Sequence, residues 1–187
     1  MTEPYSSLAD RLAGGLSSRT SGGPDPAWNP TCTGSIAIRI AADGQWFHEE
    51  RPIRRPALVR LFASILRRES DGEYYLVTPV EKLRIKVDDY PFVAVLVQIE
   101  GDGAGTSLRF TLNTGEEIAA GPQHRLWVQE RDGAPLPLLE VRPGVLARVA
   151  RAVFYELVER ASVLERAAGE VLALSSQGEV FVLGPAA

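Results

Sequence analysis

One cysteine, one methionine, two histidines and two lysines are all that the 187 residues carry of those types. A lone Cys32 cannot close an internal disulfide, which fits a reducing cytoplasm. With His48, His124 and Cys32 as the only nitrogen or sulfur ligands, the usual four-ligand zinc site is out of reach, so no metal or other cofactor is expected. The longest apolar run, FVAVLV at 92–97, falls far short of the roughly 20 residues that span a bilayer. The opening MTEPYSSLADRLAGG has neither a cationic leader nor an apolar core, so a secretion signal is not expected there. Excess positive charge is also lacking. A net charge of −4 and a pI near 5.3 argue against a protein built to neutralise many phosphates, so neither nucleic acid nor membrane is an expected partner. Arginine outnumbers lysine eighteen to two, a bias that genomic base composition can produce, and it carries no functional weight.

What is present is ordinary for a globular protein: 45% hydrophobic and 24% charged residues, in a chain long enough for one domain or two small lobes. Residues 1–33 are rich in glycine, serine and proline (SSRTSGGPDPAWNPT) with one weak helical signal at Ser6 to Leu12. They read as a mobile N-terminal arm anchored near Trp28. From Gly34 the pattern changes. SIAIRIAADGQWFHE puts Ile36, Ile38 and Ile40 on one strand face, turns at Asp43-Gly44 and returns through Trp46 and His48, a hairpin signature. Pro56 opens PALVRLFASILRR, whose apolar residues fall at helical spacing opposite Arg60, Ser64 and Arg67, and Asp71-Gly72 ends it. EYYLVT, KLRIKV, FVAVLVQIE, SLRFTL and EEIAA then read as strands; FVAVLVQI, apolar on both faces, is expected at the centre of its sheet.

The second half looks like a restatement of the first. RLWVQERDG and PLLEV form a strand, an Asp-Gly turn and a return strand, and Arg142-Pro143-Gly144 is expected to open a long helix to about Ala161. With Leu146 set against Leu58, an offset of 88, the two amphipathic patterns coincide. EVLALSS and EVFVLG follow as strands. The expected fold is α+β, in two similar lobes at 34–100 and 101–187, each a β-hairpin followed by an amphipathic helix and further antiparallel strands.

No motif carries an obvious chemistry. HEERP at 48–52 lacks the second histidine of HExxH and lies at a strand end, so zincin geometry is excluded. GDGAGTS at 101–107 follows an apolar strand, but neither a helix nor a lysine comes next, so it reads as a hairpin loop and not a phosphate cradle. No GxSxG elbow occurs. The strongest candidate is a face. On KLRIKV the apolar Leu83, Ile85 and Val87 alternate with Lys82, Arg84 and Lys86, and Arg39 and Arg109 stand in the same relation to their neighbours. If these strands share a sheet, one side carries a cationic stripe able to hold a carboxylate or phosphate, unless acids such as Glu81, Asp88 and Glu100 balance it.

The order WNPTCTGSIAIRIAADGQWFHEERPIRRPALVRLFASILRR, then DGEYYLVTPVEKLRIKVDDYPFVAV, then RPGVLARVARAVFYELVE, resembles a family of short bacterial proteins known as domain of unknown function 1285. The DG-x-WFHE-xx-PI and YYLVTPVEK segments are its most specific parts, and Glu50 stands where the family is expected to carry glycine. The resemblance implies an α+β, cytoplasmic protein with a repeated structural motif, able to form a homodimer, linked to ligand sensing or signal transduction and without an established activity or defined catalytic residues.

The first expectation is a ligand-sensing or signal-transduction module binding a small acidic ligand through Lys82, Arg84, Lys86 and Arg109, with His48 and Arg55 as further polar candidates near the hairpin-to-helix junction. A hydrolase using His48 or His124 with Glu49 or Glu81 as acid and base is one alternative. Another is a protein-interaction module pairing through an exposed strand edge such as EVFVLG.

Overall fold

Period-two alternation organises most of the chain. The computed structural model describes residues 23–102, 105–167 and 169–186, and places fifteen strands and two helices among them. The chain divides into two compact units, Met1–Pro91 and Phe92–Ala187. The weak helix at Ser6 to Leu12 and most of the expected N-terminal arm lie outside the described residues.

In the first unit, β1 (Cys32–Ile40), β2 (Trp46–His48) and β3 (Arg51–Pro52) form an antiparallel meander. The expected hairpin is therefore present, with Gly44 at φ +84 in the turn after Asp43. Helix α1 (Pro56–Ser64) follows, then a second meander of β4 (Leu66–Arg68), β5 (Tyr74–Val77) and β6 (Glu81–Val87). The two meanders join through a parallel pairing of β1 with β6, giving one six-stranded sheet in the order β3-β2-β1-β6-β5-β4. Helix α1 buries Leu58, Phe62 and Ala63, and Phe62 stacks obliquely on the buried Trp46 with ring centres 6.2 Å apart. It is shorter than the helical spacing suggests. Leu66 leaves the helix because, paired opposite Leu76 in a strand, it becomes fully buried, and Val77 N–H donates to the Ile65 carbonyl at 2.8 Å.

In the second unit, β7 (Phe92–Glu100), β8 (Ser107–Leu112) and β9 (Glu117–Ala119) form one meander, and β10 (Leu126–Arg131), β11 (Ala134–Arg142) and β12 (Val145–Val149) form the other. They join through a parallel β7–β12 pairing, so the sheet runs β10-β11-β12-β7-β8-β9. Helix α2 (Arg151–Arg160) buries Val153, Phe154 and Leu157. A three-stranded antiparallel sheet of β13 (Ser162–Arg166), β14 (Gly169–Ser176) and β15 (Glu179–Pro185) completes the unit.

The expected helix over 142–161 is therefore corrected. Arg142 ends β11, Pro143-Gly144 is a turn, and Val145, Ala147 and Val149 are buried on alternate positions of a strand held between β11 and β7. The repeat at an offset of 88 disappears with it. A different repeat stands in its place: each unit joins two three-stranded meanders by pairing the first strand of one in parallel with the last strand of the other. In the first unit a helix connects the meanders; in the second, α2 follows the last strand of the pair. The lobe boundary also moves. Strand β7 pairs with β8 and β12, so residues 92–100 belong with the second unit and not with 34–91. The two lobes are strand-rich, and no described helix is long and apolar enough to cross a membrane.

Candidate functional site

Alternation places the residues of β6 as expected: Leu83 and Ile85 are buried, while Arg84 and Lys86 are exposed and Lys82 is half-buried. Parallel pairing with β1 brings Arg39 beside Lys86. Arg109 does not join them, because β8 belongs to the sheet of the other unit. The stripe that would span Lys82 to Arg109 therefore breaks.

Acids also reach most of these cations. Lys82 Nζ lies 3.8 Å from Glu69 and 5.0 Å from the centre of the Tyr75 ring. Lys86 lies 3.5 Å from Asp88, and Arg39 binds both Asp88 at 2.8 Å and Glu50 at 2.9 Å. Arg109 sits between Glu100 at 3.3 Å and Glu117 at 4.0 Å. Hydrogen bonds from Arg39 hold the Asp88 carboxyl below its ordinary pKa, and hydrogen bonds to Glu50 and then Asp88 raise that of Arg39. Arg84 differs: it is exposed and meets no carboxylate of the described residues.

A cavity of about 750 Å³ opens on this face. It exists because β1 bulges: Ser35 pairs with Arg84 and Arg39 with Lys86, so three residues of β1, Ile36 to Ile38, stand opposite Ile85 alone. Arg39, Arg84 and Lys86 line it together with Glu49, Glu50 and Glu73. Three formal positive charges thus face three negative ones. Lys82, His48 and Arg55 are not part of its wall.

The histidines belong to different units. His48, half-buried, ends β2 opposite Ile38 and Arg51. His124 lies in the second unit on the β9–β10 connection, where its Nδ1 is 3.1 Å from the Glu140 backbone carbonyl. Its ring is thus held by a backbone oxygen. Among the described residues no group of three or more His, Cys, Asp or Glu side chains could hold a metal ion.

A second concavity was not visible as a motif. A groove of about 960 Å³ in the second unit has β10 on one wall and β15 on the other, with Phe154 and Val158 of α2 between them. Both strands are edges: among the described strands, β10 pairs only with β11, and β15 only with β14. Each therefore leaves alternate backbone N–H and C=O groups without a ladder partner on its outer side. Trp127, Leu172, Phe181 and Leu183 make the lining apolar, and Val180 and Val182 remain 46% and 38% exposed. The signal that could have located it is the apolar EVFVLG, expected as an exposed edge, together with the half-exposed Trp127.

This arrangement of paired meanders has known relatives. The N-terminal domain of the domain-of-unknown-function family DUF1285 matches residues 23–90, and the C-terminal domain of the same protein family matches residues 91–183. A crystal structure of a DUF1285 family protein from Silicibacter pomeroyi DSS-3 superposes with a TM-score of 0.77 at 43% identity, covering 88% of this chain and 90% of that one. The chain belongs to the DUF1285 family. A second DUF1285 family protein, from Shewanella baltica OS155, superposes with a TM-score of 0.54 at 27% identity over 68% of this chain and 94% of that one. Comparison with curated proteins finds no match. The junction of the two DUF1285 domains, between residues 90 and 91, lies one residue from the division between Pro91 and Phe92.

Proposed function

We propose that this DUF1285 protein is a binding module, and that its second unit holds an extended segment of a partner protein in the groove between β10 and β15. One observation carries the reading: the two walls of this groove are both strands at the edge of a described sheet, with apolar side chains between them. A guest strand gains main-chain hydrogen bonds from an edge, while alternate side chains enter apolar pockets. No proton transfer or nucleophile is required, and the sensing role implied by the family then amounts to occupancy of the groove.

Fluorescence anisotropy with labelled peptides of alternating Val and Thr tests this, with Trp127 emission as an internal reporter. Binding should be lost when proline replaces alternate residues, because proline cannot donate to a strand ladder. Equal binding of the proline-bearing peptides would remove strand pairing as the mechanism. A concentration-dependent dimer in light scattering, competed by the peptide, would identify a second copy of the chain as the guest.

A second reading places a small acidic ligand in the β1–β6 cavity of the first unit. Arg84 favours it, as a wall residue free of carboxylate partners among the described residues. Its check is isothermal titration with dicarboxylates and phosphates against the protein and Arg84→Ala; heat that does not depend on Arg84 would dismiss it.

A further inference from the structure

The stretch 51–68, RPIRRPALVRLFASILRR, contains six arginines and no aspartate or glutamate. Two of the six are used internally: Arg67 binds Glu69 and the Trp28 carbonyl, and Arg68 binds the Gly72 carbonyl and lies over the Tyr74 ring. The other four, Arg51 on β3, Arg54 and Arg55 in the connection, and Arg60 on α1, are exposed, and their side chains make no ion pair, hydrogen bond or ring contact with any described residue. Within the same unit Arg39, Lys82 and Lys86 each lie within 4.0 Å of a carboxylate. Apart from Arg84, the cations elsewhere on this unit are thus matched, whereas four stand unmatched here, in a chain whose net charge is −4.

The backbone presents these arginines on a stiff support. Pro52 and Pro56 fix two φ angles, and Ile53 between them is buried, with its N–H donating to the Trp46 carbonyl at 2.8 Å. Helix α1 adds the partial positive charge of its N-terminus, since its first turn holds no acid and Arg55 at its N-cap makes no side-chain cap. Less ordering entropy is then lost when a partner docks.

We propose that the β3–α1 connection is a docking surface for a carboxylate-rich segment of a partner protein. The inference does not depend on the groove of the second unit. Neither described cavity includes any of the four arginines, so a partner that lays several acids across an open surface fits better than a small pocketed ligand. Guanidinium groups accept carboxylates as bidentate pairs. A nucleic acid would extend its charge beyond this short connection onto an overall acidic molecule, where it is repelled.

The test is anisotropy of a labelled twelve-residue Glu/Asp peptide with the full chain, over a series of salt concentrations. Affinity should fall as salt rises, and the double variant Arg54→Ala/Arg55→Ala should weaken binding about tenfold while Arg160→Ala, exposed and equally unpaired in the second unit, changes nothing. A second double variant, Arg51→Ala/Arg60→Ala, should weaken it likewise, and unchanged thermal melts would show that all variants fold. The proposal is overturned if the peptide does not bind at low salt, or if the Arg160 variant loses as much as the double variants. It is equally overturned if a single-stranded oligonucleotide or phosphatidylserine vesicles bind more tightly than the peptide through the same arginines.

Discussion

Arg39 Nη2 lies 2.9 Å from Glu50 Oε2, so β1 grips the second residue of the turn that follows β2. That turn is costly: Glu49 and Glu50 sit at φ +49 and +60, a left-handed conformation that side-chain-bearing residues seldom adopt. Glycine, which the family resemblance leads one to expect at position 50, would adopt it freely.

Glu50→Gly and Glu50→Ala both delete the ion pair, but only glycine relieves the backbone. The glycine variant should therefore be more stable than the alanine variant by about 1 kcal/mol in urea unfolding. An alanine variant as stable as glycine would mean that the turn rearranges.

Asp88 has a depressed pKa in the fold, first because Arg39 donates to it at 2.8 Å. A group whose pKa is lowered on folding adds stability above its unfolded value, near 3.9, and loses that contribution as pH falls through the folded value. Arg39→Ala should raise the Asp88 carboxyl toward its ordinary value in an NMR titration and flatten the stability loss below about pH 4. An unmoved titration would show that the pair does not persist in solution.

Ser176 is buried, and its Oγ accepts from Leu108 N–H at 2.9 Å while donating to the Ala120 carbonyl at 2.6 Å. It ties β14 to β8 and to the end of β9. Ser176→Ala leaves a buried amide without an acceptor and should cost about 1–3 kcal/mol, measured as a lower urea midpoint at unchanged slope. A loss within 0.5 kcal/mol, the ~0.5 kcal/mol range typical of surface changes, would count against this link.

Val182 is 38% exposed on the groove wall. Val182→Asp should leave stability within about 0.5 kcal/mol of the parent, yet remove binding of alternating Val/Thr peptides, because a carboxylate would then be desolvated against the guest. Retained peptide affinity in this variant would move the guest off β15.

Much of this protein is local. The Asp43-Gly44 hairpin, the helix start at Pro56 and the alternation of β6 follow from residues that choose their conformation from near neighbours: a turn that needs positive φ, a ring that fixes it, apolar side chains at every second position. Residues 145–154 mark where local information ends. Val145, Ala147 and Val149 alternate as a strand, yet Leu146, Val149, Val153 and Phe154 also lie on one face of a helix, so both periods fit the same letters. Contact decides between them. Only when β11 and β7 offer open edges on either side does the strand gain two sets of hydrogen bonds and bury three side chains, and the helix then starts six residues after Val145, at Arg151.

Lys82, Arg84 and Lys86 do point the same way, as their spacing alone determines. Lys86 meets its near neighbour Asp88, but what matches Lys82 and fills the cavity comes from farther along the chain: Glu69, one residue past β4, reaches Lys82, and the bulge in β1 admits Arg39 and Glu50 to the same cavity. Arg109 has identical alternation but lies in the other sheet. Side-chain direction is a property of one strand, and its period of two is written in the residues themselves. Which strands become neighbours, which edges stay open at β10 and β15, and which charges find partners depend on pairings across many intervening residues, where the free energy of burial and not local preference makes the choice.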